Sequence, residues 1–481
     1  MRIPFSHITV SLFTLLLSSF LLLSPVEGHA DKGTTDQEWL IHGNDKDLRH
    51  LVNELEKTEE IAVNFLEDIN MIKVSAISQD EKKRMLQTIE REKLDVVMGE
   101  DSPVHLPDPF SFSTMSDLPL VNYTNSIFST AQLYEEWGWD IKEVTNNGAS
   151  FEKQLGNHDV VVAIIDSGID HQHPDLKDNI LSEGKSFVPG VESTQDKMGH
   201  GTMVAGSIAA NGSLLGVGPQ LGIIPYKVFD QSSGKTSWVV SAMIEAVNAG
   251  SDVINLSLGS YLSVKNSEDR AALLAYKKAI NYANQKGTAV VAASGTRTQG
   301  IDISNPKLLG LTIGTDDPTF YAPGGLNGVI TVSGSTRTQT IDPMSNYGQQ
   351  VELSAPSGDY GPEFQEKGEV DFQRLSMTTY PTDLPSSPLN QYLGIEEGYT
   401  LMVGTSLAAP KVSAAIALLI AEAKEEMIEL PLREIYSLIN EGAMPYNPDV
   451  TDEKQSRYGI VNVNNSLKLL NEKGGNDGVE N

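Results

Sequence analysis

Five short runs of mainly apolar residues alternate with helical patterns beyond Val160. The runs are VVVAIID, GIIPYKVF, DVINLSL, TAVVAAS and GVITVSG, and the stretches between them include WVVSAMIEAVNAG and ALLAYKKAINYANQKG. Strands that lack polar alternation are buried on both faces, and intervening helices connect parallel strands. The sequence therefore predicts an α/β fold, in which a mostly parallel sheet is covered by helices on both faces.

The first 30 residues predict a signal peptide. Arg2 gives a basic start, an apolar run extends from Val10 to Leu23, and the small residues around Ala30 suit a cleavage site. A retained membrane anchor is the alternative. It is disfavoured because Ser, Thr and Pro interrupt the run, and because no second apolar span of about 20 residues follows. We expect a soluble bacterial protein that is exported and leaves the membrane after signal removal.

The next 70 residues have the pattern of a small α+β unit. EWLIHGN and IAVNFLEDINMIKVSAI favour strands, whereas DKDLRHLVNELEKT and SQDEKKRMLQTIEREK carry apolar residues at helical spacing. The Pro- and Ser-containing stretch DSPVHLPDPFSFSTMSDLP then predicts a linker. The expected organisation is a signal peptide over 1–30, an α+β unit over 31–100 and the main domain over 101–481, with a short acidic tail.

Composition excludes several classes of function. The chain of 481 residues has no cysteine, which excludes disulfides and thiolate metal sites. Its formal charge of −29 argues against nucleic acid and anionic lipid as partners, and is typical of a highly soluble protein.

Three motifs place polar side chains where strands end or helices begin. Asp166 ends the strand in VVVAIIDSGIDHQHPDL, His200 starts a helix in DKMGHGTMVAGSIAANG, and Ser406 starts an apolar helix in GYTLMVGTSLAAPKVSAAIALLI. Parallel sheets gather their sites beyond the carboxyl ends of the strands. In this order the three motifs resemble those of the subtilisin-like serine proteases, the subtilases. The resemblance covers Trp137 to Leu470.

The resemblance implies acyl transfer to water. Ser406 would attack the peptide carbonyl, His200 would take and return its proton, and Asp166 would hold the imidazole in the correct tautomer. Backbone N–H groups at the helix N-terminus would face the developing oxyanion.

The resemblance fails at one catalytic position. Subtilases carry Gly-Asn after the strand that corresponds to AVVAAS, and the Asn amide completes the oxyanion hole, whereas this chain has Gly295 and Thr296. A Thr hydroxyl can donate but is shorter. We therefore expect a slow protease. A peptide-binding pseudoprotease is the alternative that lies outside enzymes.

Substrate-binding residues follow from the same resemblance. NLSLGS matches one wall of the S1 pocket, SSGKTSW matches the opposing strand, and an extended peptide would lie between them as an added strand. The S1 wall would consist of Ser257, Leu258 and Gly259, and the opposing strand of Ser232, Ser233 and Gly234. Thr236 would lie over S4, and Arg297 would lie on the S1 rim.

No cofactor is expected. Calcium-binding subtilisins hold the ion with a long loop in the His-bearing helix, and AANGSLLGVGPQ is shorter than that pattern. We therefore predict no metal ligands, although a weak calcium site elsewhere stays open.

Further motifs resemble the lanthipeptide leader peptidases, namely WDIKEVTNNGASF, DKMGHGT, GKTSW, YKKAINYANQKG and GTSLAAPKVSAA. The expected substrate is thus the leader of a lanthipeptide precursor. A general extracellular scavenging protease is the alternative among enzymes. We expect free secretion, because NEKGGNDGVEN lacks a cell-wall sorting signal, and we also expect a monomer.

The resemblance also implies a zymogen. Its own prodomain would assist folding, inhibit the enzyme and be removed by self-cleavage. In KLDVVMGEDSPVH, a cut between Glu100 and Asp101 would place Val97 at P4 and Glu100 at P1. Arg297 could then pair with the P1 carboxylate. A cut elsewhere in residues 95 to 120 is the alternative.

Overall fold

A computed structural model describes residues 37–57, 61–77, 79–106, 132–231, 233–297, 299–449 and 456–477. The predicted signal peptide and most of the predicted linker lie outside the described residues, as does Ser232.

The N-terminal unit is a four-stranded antiparallel sheet with two helices. Its strands are β1 (Gln37–Gly43), β2 (Ala62–Leu66), β3 (Met71–Ile77) and β4 (Val96–Glu100), and its helices are α1 (Asp45–Leu55) and α2 (Gln79–Glu92). The strand order is β2-β3-β1-β4. Ile41 and Ile72 pack with Leu48 and Met85 of the helices, whereas Leu40 belongs to a core shared with the larger unit. This confirms the predicted small α+β unit.

The larger unit begins with β5, a three-residue strand. Its strands in chain order are β5 (Pro103–His105), β6 (Val161–Asp166), β7 (Lys185–Ser186), β8 (Gly222–Lys227), β9 (Ser233–Lys235), β10 (Val253–Leu256), β11 (Ser260–Ser263), β12 (Ala289–Ala293), β13 (Thr319–Ala322), β14 (Ile330–Ser335), β15 (Leu353–Pro356), β16 (Ser376–Thr379), β17 (Tyr399–Met402) and β18 (Gly459–Ile460).

Eleven helices of this unit lie in the described part of the chain. They are α3 (Gln132–Trp137), α4 (Trp139–Val144), α5 (His200–Ala209), α6 (Thr236–Asn248), α7 (Ser267–Lys286), α8 (Pro306–Thr312), α9 (Phe364–Lys367), α10 (Pro388–Leu393), α11 (Thr405–Glu425), α12 (Leu432–Glu441) and α13 (Val463–Asp477).

Eight strands form one parallel sheet in the order β18-β15-β14-β12-β10-β6-β8-β7. Successive residues of β6 alternate between its faces. Val162 and Ile164 pack in the core that contains α5 and α11, whereas Ala163 and Ile165 pack in the core that contains α6 and α7. Because both faces are covered, the residues of such a strand are mainly apolar on both faces. The predicted α/β fold is confirmed.

Helix α11 crosses the centre of the larger unit. Within the described residues it is the one helix long and apolar enough to span a membrane, and 94% of its apolar window is buried inside the protein. The apolar surface of this helix is therefore buried in the protein core. Its N-terminus lies close to the carboxyl ends of the strands.

Candidate active site

The carboxylate of Asp166 holds the imidazole of His200. Asp166 lies at the end of β6 and is fully buried, and His200 is the first residue of α5. The imidazole Nδ1 lies 2.8 Å from Oδ1 of Asp166, which also accepts from the backbone N–H of Ser167 at 2.7 Å. A carboxylate bound at Nδ1 leaves Nε2 free to act as the base. Among the described residues, Nε2 of His200 has no hydrogen-bond partner.

A second carboxylate, Asp196, fixes the turn that leads into His200. Its Oδ1 accepts from the backbone N–H of Met198 and Gly199, and its Oδ2 accepts from the N–H and hydroxyl of Thr202. Gly199 has φ of 95°, a left-handed conformation that suits glycine. Our sequence reasoning missed Asp196, although it lies inside the quoted motif DKMGHGT and could have been recognised there as a cap of the turn.

Opposing effects act on the pKa of His200. Burial lowers the pKa, but the charge of Asp166 and its hydrogen bond raise it, and the charge of Asp196 adds to this. The net direction is upward. The imidazolium that forms during proton transfer is therefore stabilised by its surroundings.

The hydroxyl of Ser406 lies at the N-terminus of α11. Gly404, which precedes the helix, has φ of 134°, and Ser406 is 7% exposed. The Ser406 hydroxyl donates to the carbonyl of Ser257 at 3.4 Å, and the Ser257 hydroxyl donates to the carbonyl of Ser406 at 2.9 Å. The structure thus places Ser257, predicted as a substrate-binding residue, directly against the candidate nucleophile.

Thr296 lies next to the same helix N-terminus. Its Oγ1 accepts from the backbone N–H of Thr405 at 3.0 Å and lies 3.1 Å from the Thr405 hydroxyl. A Cβ added to Gly404 would lie 3.3 Å from this oxygen, so the glycine leaves room for the Thr296 hydroxyl. A hydroxyl that accepts one hydrogen bond still has a proton to donate. Thr296 is therefore located where its hydroxyl, on a side chain shorter than that of Asn, can donate a hydrogen bond to an oxyanion.

Residues 103–105 occupy the groove that the sequence predicted for substrate. β5 pairs antiparallel with β9, with Val104 opposite Gly234 and His105 opposite Ser233. On its other side, the His105 carbonyl accepts from the N–H of Gly259 at 3.3 Å. The segment is thus the middle strand between the two predicted walls. The sequence predicts a linker here, because three residues that begin with proline carry no periodic pattern.

Two further predicted residues lie along this groove. The Thr236 hydroxyl and N–H both bind the carbonyl of Ser102, at 3.0 and 2.9 Å. Leu258 is fully buried in the same core as Val104. Thr236 therefore contacts the segment before β5, whereas Leu258 supports the wall from behind.

The predicted processing site, the bond between Glu100 and Asp101, lies outside the groove. Glu100 pairs with Trp39 in the N-terminal sheet, and the carboxylate of Asp101 accepts from the N–H of Ser237 at 3.0 Å. Both precede the segment that lies in the groove. The structure does not bring the bond between Glu100 and Asp101 to Ser406, because residues 103–105 lie between the two walls instead.

Arg297 extends over the wall that follows Gly259. Its guanidinium carbon lies 5.5 Å from the ring centre of Tyr261, and the Tyr261 hydroxyl accepts from the side chain of Asn346 at 2.7 Å. The arginine is exposed and its backbone is fixed by a bond to the Met344 carbonyl. The structure thus places its cation on Tyr261, two residues after Gly259 in the sequence.

The loop predicted to be short surrounds a carboxylate. Asp175 accepts from the backbone N–H of Ser213 at 3.0 Å and of Leu214 at 2.9 Å. These two donors stabilise the carboxylate by hydrogen bonds. The described residues contain no group of three or more His, Cys, Asp or Glu side chains suited to a metal. The absence of calcium stays a prediction.

This fold and this site define a serine endopeptidase. The chain belongs to the Subtilase family, whose family model matches residues 157–461. That match includes all three residues of the proposed triad.

The curated relatives include lanthipeptide leader peptidases. The nisin leader peptide-processing serine protease of Lactococcus lactis subsp. lactis is 35% identical over 317 residues, which are 61% of this chain and 45% of that protein. The epidermin leader peptide-processing serine protease of Staphylococcus epidermidis is 35% identical over 311 residues, which are 58% of this chain and 64% of that protein. The chain thus spans less than two thirds of the length of either relative.

Solved structures of lanthipeptide proteases are also similar to this chain. The crystal structure of a lanthipeptide protease has a TM-score of 0.62 and 31% identity, and covers 70% of this chain and 95% of its own. The epidermin leader peptide-processing serine protease of Staphylococcus aureus has a TM-score of 0.70 and 25% identity, with 91% and 99% covered. The protein is therefore a subtilase related to the lanthipeptide leader peptidases.

Proposed function

We propose that the protein is a secreted zymogen that removes the leader from a lanthipeptide precursor by cutting after Glu. The kinship with leader peptidases supports the substrate class. The single observation that carries the proposal is the middle strand in the groove, in which Val104 and His105 are bound through their backbones. Backbone pairing of this kind would grip an extended leader irrespective of most of its side chains.

The same strand supports the zymogen. A groove filled by the chain's own residues is closed to other peptides, so the N-terminal unit would act as an inhibitor until its connection is cut. Because Leu106 follows the strand at the groove, we place the processed bond beyond Leu106 and not after Glu100. This stays within residues 95 to 120, where the sequence left the cut open.

The preference for Glu now rests on Arg297. Its exposed guanidinium lies over the ring of Tyr261, two residues after the groove wall at Gly259. From there it could form a bidentate pair with the carboxylate of a P1 side chain. Glu100 lies outside the groove and so does not itself support a P1 Glu, which means that the preference needs its own measurement.

The test compares a precursor peptide whose leader ends in Glu with unfolded casein, using the enzyme from which the N-terminal unit has been removed. We expect one cut at the leader junction, with kcat/KM roughly 10- to 100-fold above that of any casein bond. Ser406→Ala protein is the matched control. Cleavage of casein at many bonds with equal efficiency would instead identify a scavenging protease. No cleavage of either substrate would identify a pseudoprotease.

A further inference from the structure

Two glycines face one another across the end of the groove. Gly259 begins the wall that pairs with His105. Gly295 precedes Thr296, whose hydroxyl lies beside Thr405 and hence beside the nucleophile. The space between the two glycines is therefore next to the reacting bond of any bound peptide.

The phenol ring of Tyr321 enters this space. A Cβ added to Gly259 would lie 2.5 Å from both Cζ and Oη of Tyr321, and one added to Gly295 would lie 2.8 and 2.9 Å from the same atoms. Such distances are far inside van der Waals contact, so each glycine is needed for the ring to fit. The tip of Tyr321 is thus in contact with both backbones at once.

The ring is held firmly in this position. Tyr321 is 5% exposed and lies in β13, which pairs with β11 and sets it opposite Tyr261. The two ring centres are 5.0 Å apart. Leu309 and Val351 complete the cluster behind the ring. Burial raises the pKa of Tyr321, so the hydroxyl stays neutral.

The register of β5 locates the substrate residue that meets this ring. His105 lies opposite Gly259 in antiparallel pairing. In a peptide bound with this register, the residue two positions further along lies opposite Ser257, whose carbonyl accepts from the Ser406 hydroxyl. The carbonyl of that residue is the one nearest the nucleophile, which makes it P1.

We infer that Tyr321 closes the floor of the P1 pocket, so that the enzyme accepts short P1 side chains and turns longer polar ones outward along the rim toward Arg297. The inference refines the proposed function. It rests on that function only for a P1 Glu, whose carboxylate would bind at the rim of the pocket and not at its floor. The size limit itself follows from Gly259, Gly295 and Tyr321 alone.

The experiment measures kcat/KM of the enzyme without its N-terminal unit on peptides that differ only at P1, with Ala, Glu, Leu or Phe there. We expect wild type to favour Ala over Phe by at least about 10-fold, which is the scale at which pocket size discriminates. Tyr321→Ala should raise cleavage after Phe roughly 10- to 100-fold relative to cleavage after Ala. Tyr321→Phe keeps the ring and should keep the wild-type ratio.

Equal cleavage after Ala and Phe by wild type would overturn the inference, as would an unchanged ratio in Tyr321→Ala. If Tyr321→Ala does not fold, Tyr321→Val is used in its place, because valine suits a strand. It is judged by the same ratio of cleavage after Phe to cleavage after Ala. Should the leader peptide resist cleavage while the P1 ranking is as expected, the proposed function fails and the size limit stands.

Discussion

Thr296 accepts a hydrogen bond from the backbone N–H of Thr405 at 3.0 Å, one residue before Ser406. The bond orients the Thr296 hydroxyl toward the N-terminus of α11, where an oxyanion would be stabilised. Since the oxygen already accepts, its proton is available either to the Thr405 hydroxyl at 3.1 Å or to substrate. If Thr296 stabilises the oxyanion, it does so through this one hydroxyl proton.

Substitutions at Thr296 measure that donor. Thr296→Val keeps the shape and removes the hydroxyl, so kcat should fall, by up to the roughly 100- to 1,000-fold seen when an oxyanion donor is lost. Thr296→Asn supplies a longer donor and should raise kcat by about 10- to 1,000-fold with little change in KM, because the gain arises in the transition state. An unchanged kcat in both variants would show that position 296 does not contact the oxyanion.

The pH profile should report His200. Catalysis needs the neutral imidazole. Burial lowers the pKa of His200, but Asp166 and Asp196 together raise it by more. Activity should therefore rise with pH, with a midpoint above the ordinary histidine value of about 6.5. The measurement is kcat/KM from pH 5 to 9.

Asp166→Asn is the control for this profile. It removes the charge that raises the pKa of His200, so the midpoint should move down while kcat falls about 10,000-fold, as in other triads. A midpoint that stays in place would mean that another group controls the acid limb.

Arg297→Glu tests the acidic P1 preference. If the guanidinium pairs with a P1 carboxylate, the variant should cleave after Glu roughly 10- to 100-fold less well and improve after Lys or Arg, because a charge-assisted bond becomes a repulsion. Paired peptides with Glu and Gln at P1 provide the matched substrate control. Equal cleavage of the two by wild type would remove the basis of the preference.

Acid should loosen the N-terminal unit through His42. This side chain of β1 lies 2.9 Å from the carbonyl of Ala271 in α7. Burial and the charge of Lys278 lower the pKa of His42 to about 3, although the bond to Ala271 opposes the shift. The undocked state therefore binds a proton more readily, and docking weakens as pH falls from about 6.5 toward 3, by about 1.4 kcal/mol per pH unit.

Urea unfolding of the Ser406→Ala chain at pH 7 and pH 5 checks this. His42→Gln should reduce the loss of stability on acidification. Asp101 titrates in the opposite direction, since burial raises its pKa to about 6 and the cost of its charge is relieved as pH falls below that value. Asp101→Asn should therefore steepen the acid loss. If His42→Gln leaves the pH dependence unchanged, His42 does not control docking.

The sheet and the triad could be predicted from the sequence because both are marked by local patterns. Continuous apolar runs mark doubly covered strands, and Asp166, His200 and Ser406 each sit in a motif with small neighbours that the close packing requires. β5 left no such pattern. It becomes a strand because β9 and Gly259 supply partners from distant parts of the chain, which is a tertiary effect.

The position of Tyr321 could not be predicted from the sequence for the same reason. It lies 25 positions after Thr296 in the sequence, and only the pairing of β13 with β11 carries its ring to Gly259 and Gly295. No local pattern predicts a contact that depends on this register. The groove register is hidden for a related cause, since the acidic turn at Glu100 resembles a substrate while the backbone partners pair with residues 103–105.

The central claim is that Ser406 cuts the chain that fills its own groove. The most direct measurement is the N-terminal sequence and mass of protein secreted by a protease-free host, for wild type and for Ser406→Ala. We expect wild type to begin between residues 108 and 120, and Ser406→Ala to retain the N-terminal unit. Mature protein from the Ser406→Ala variant, or a wild-type N-terminus at Asp101, would contradict this account.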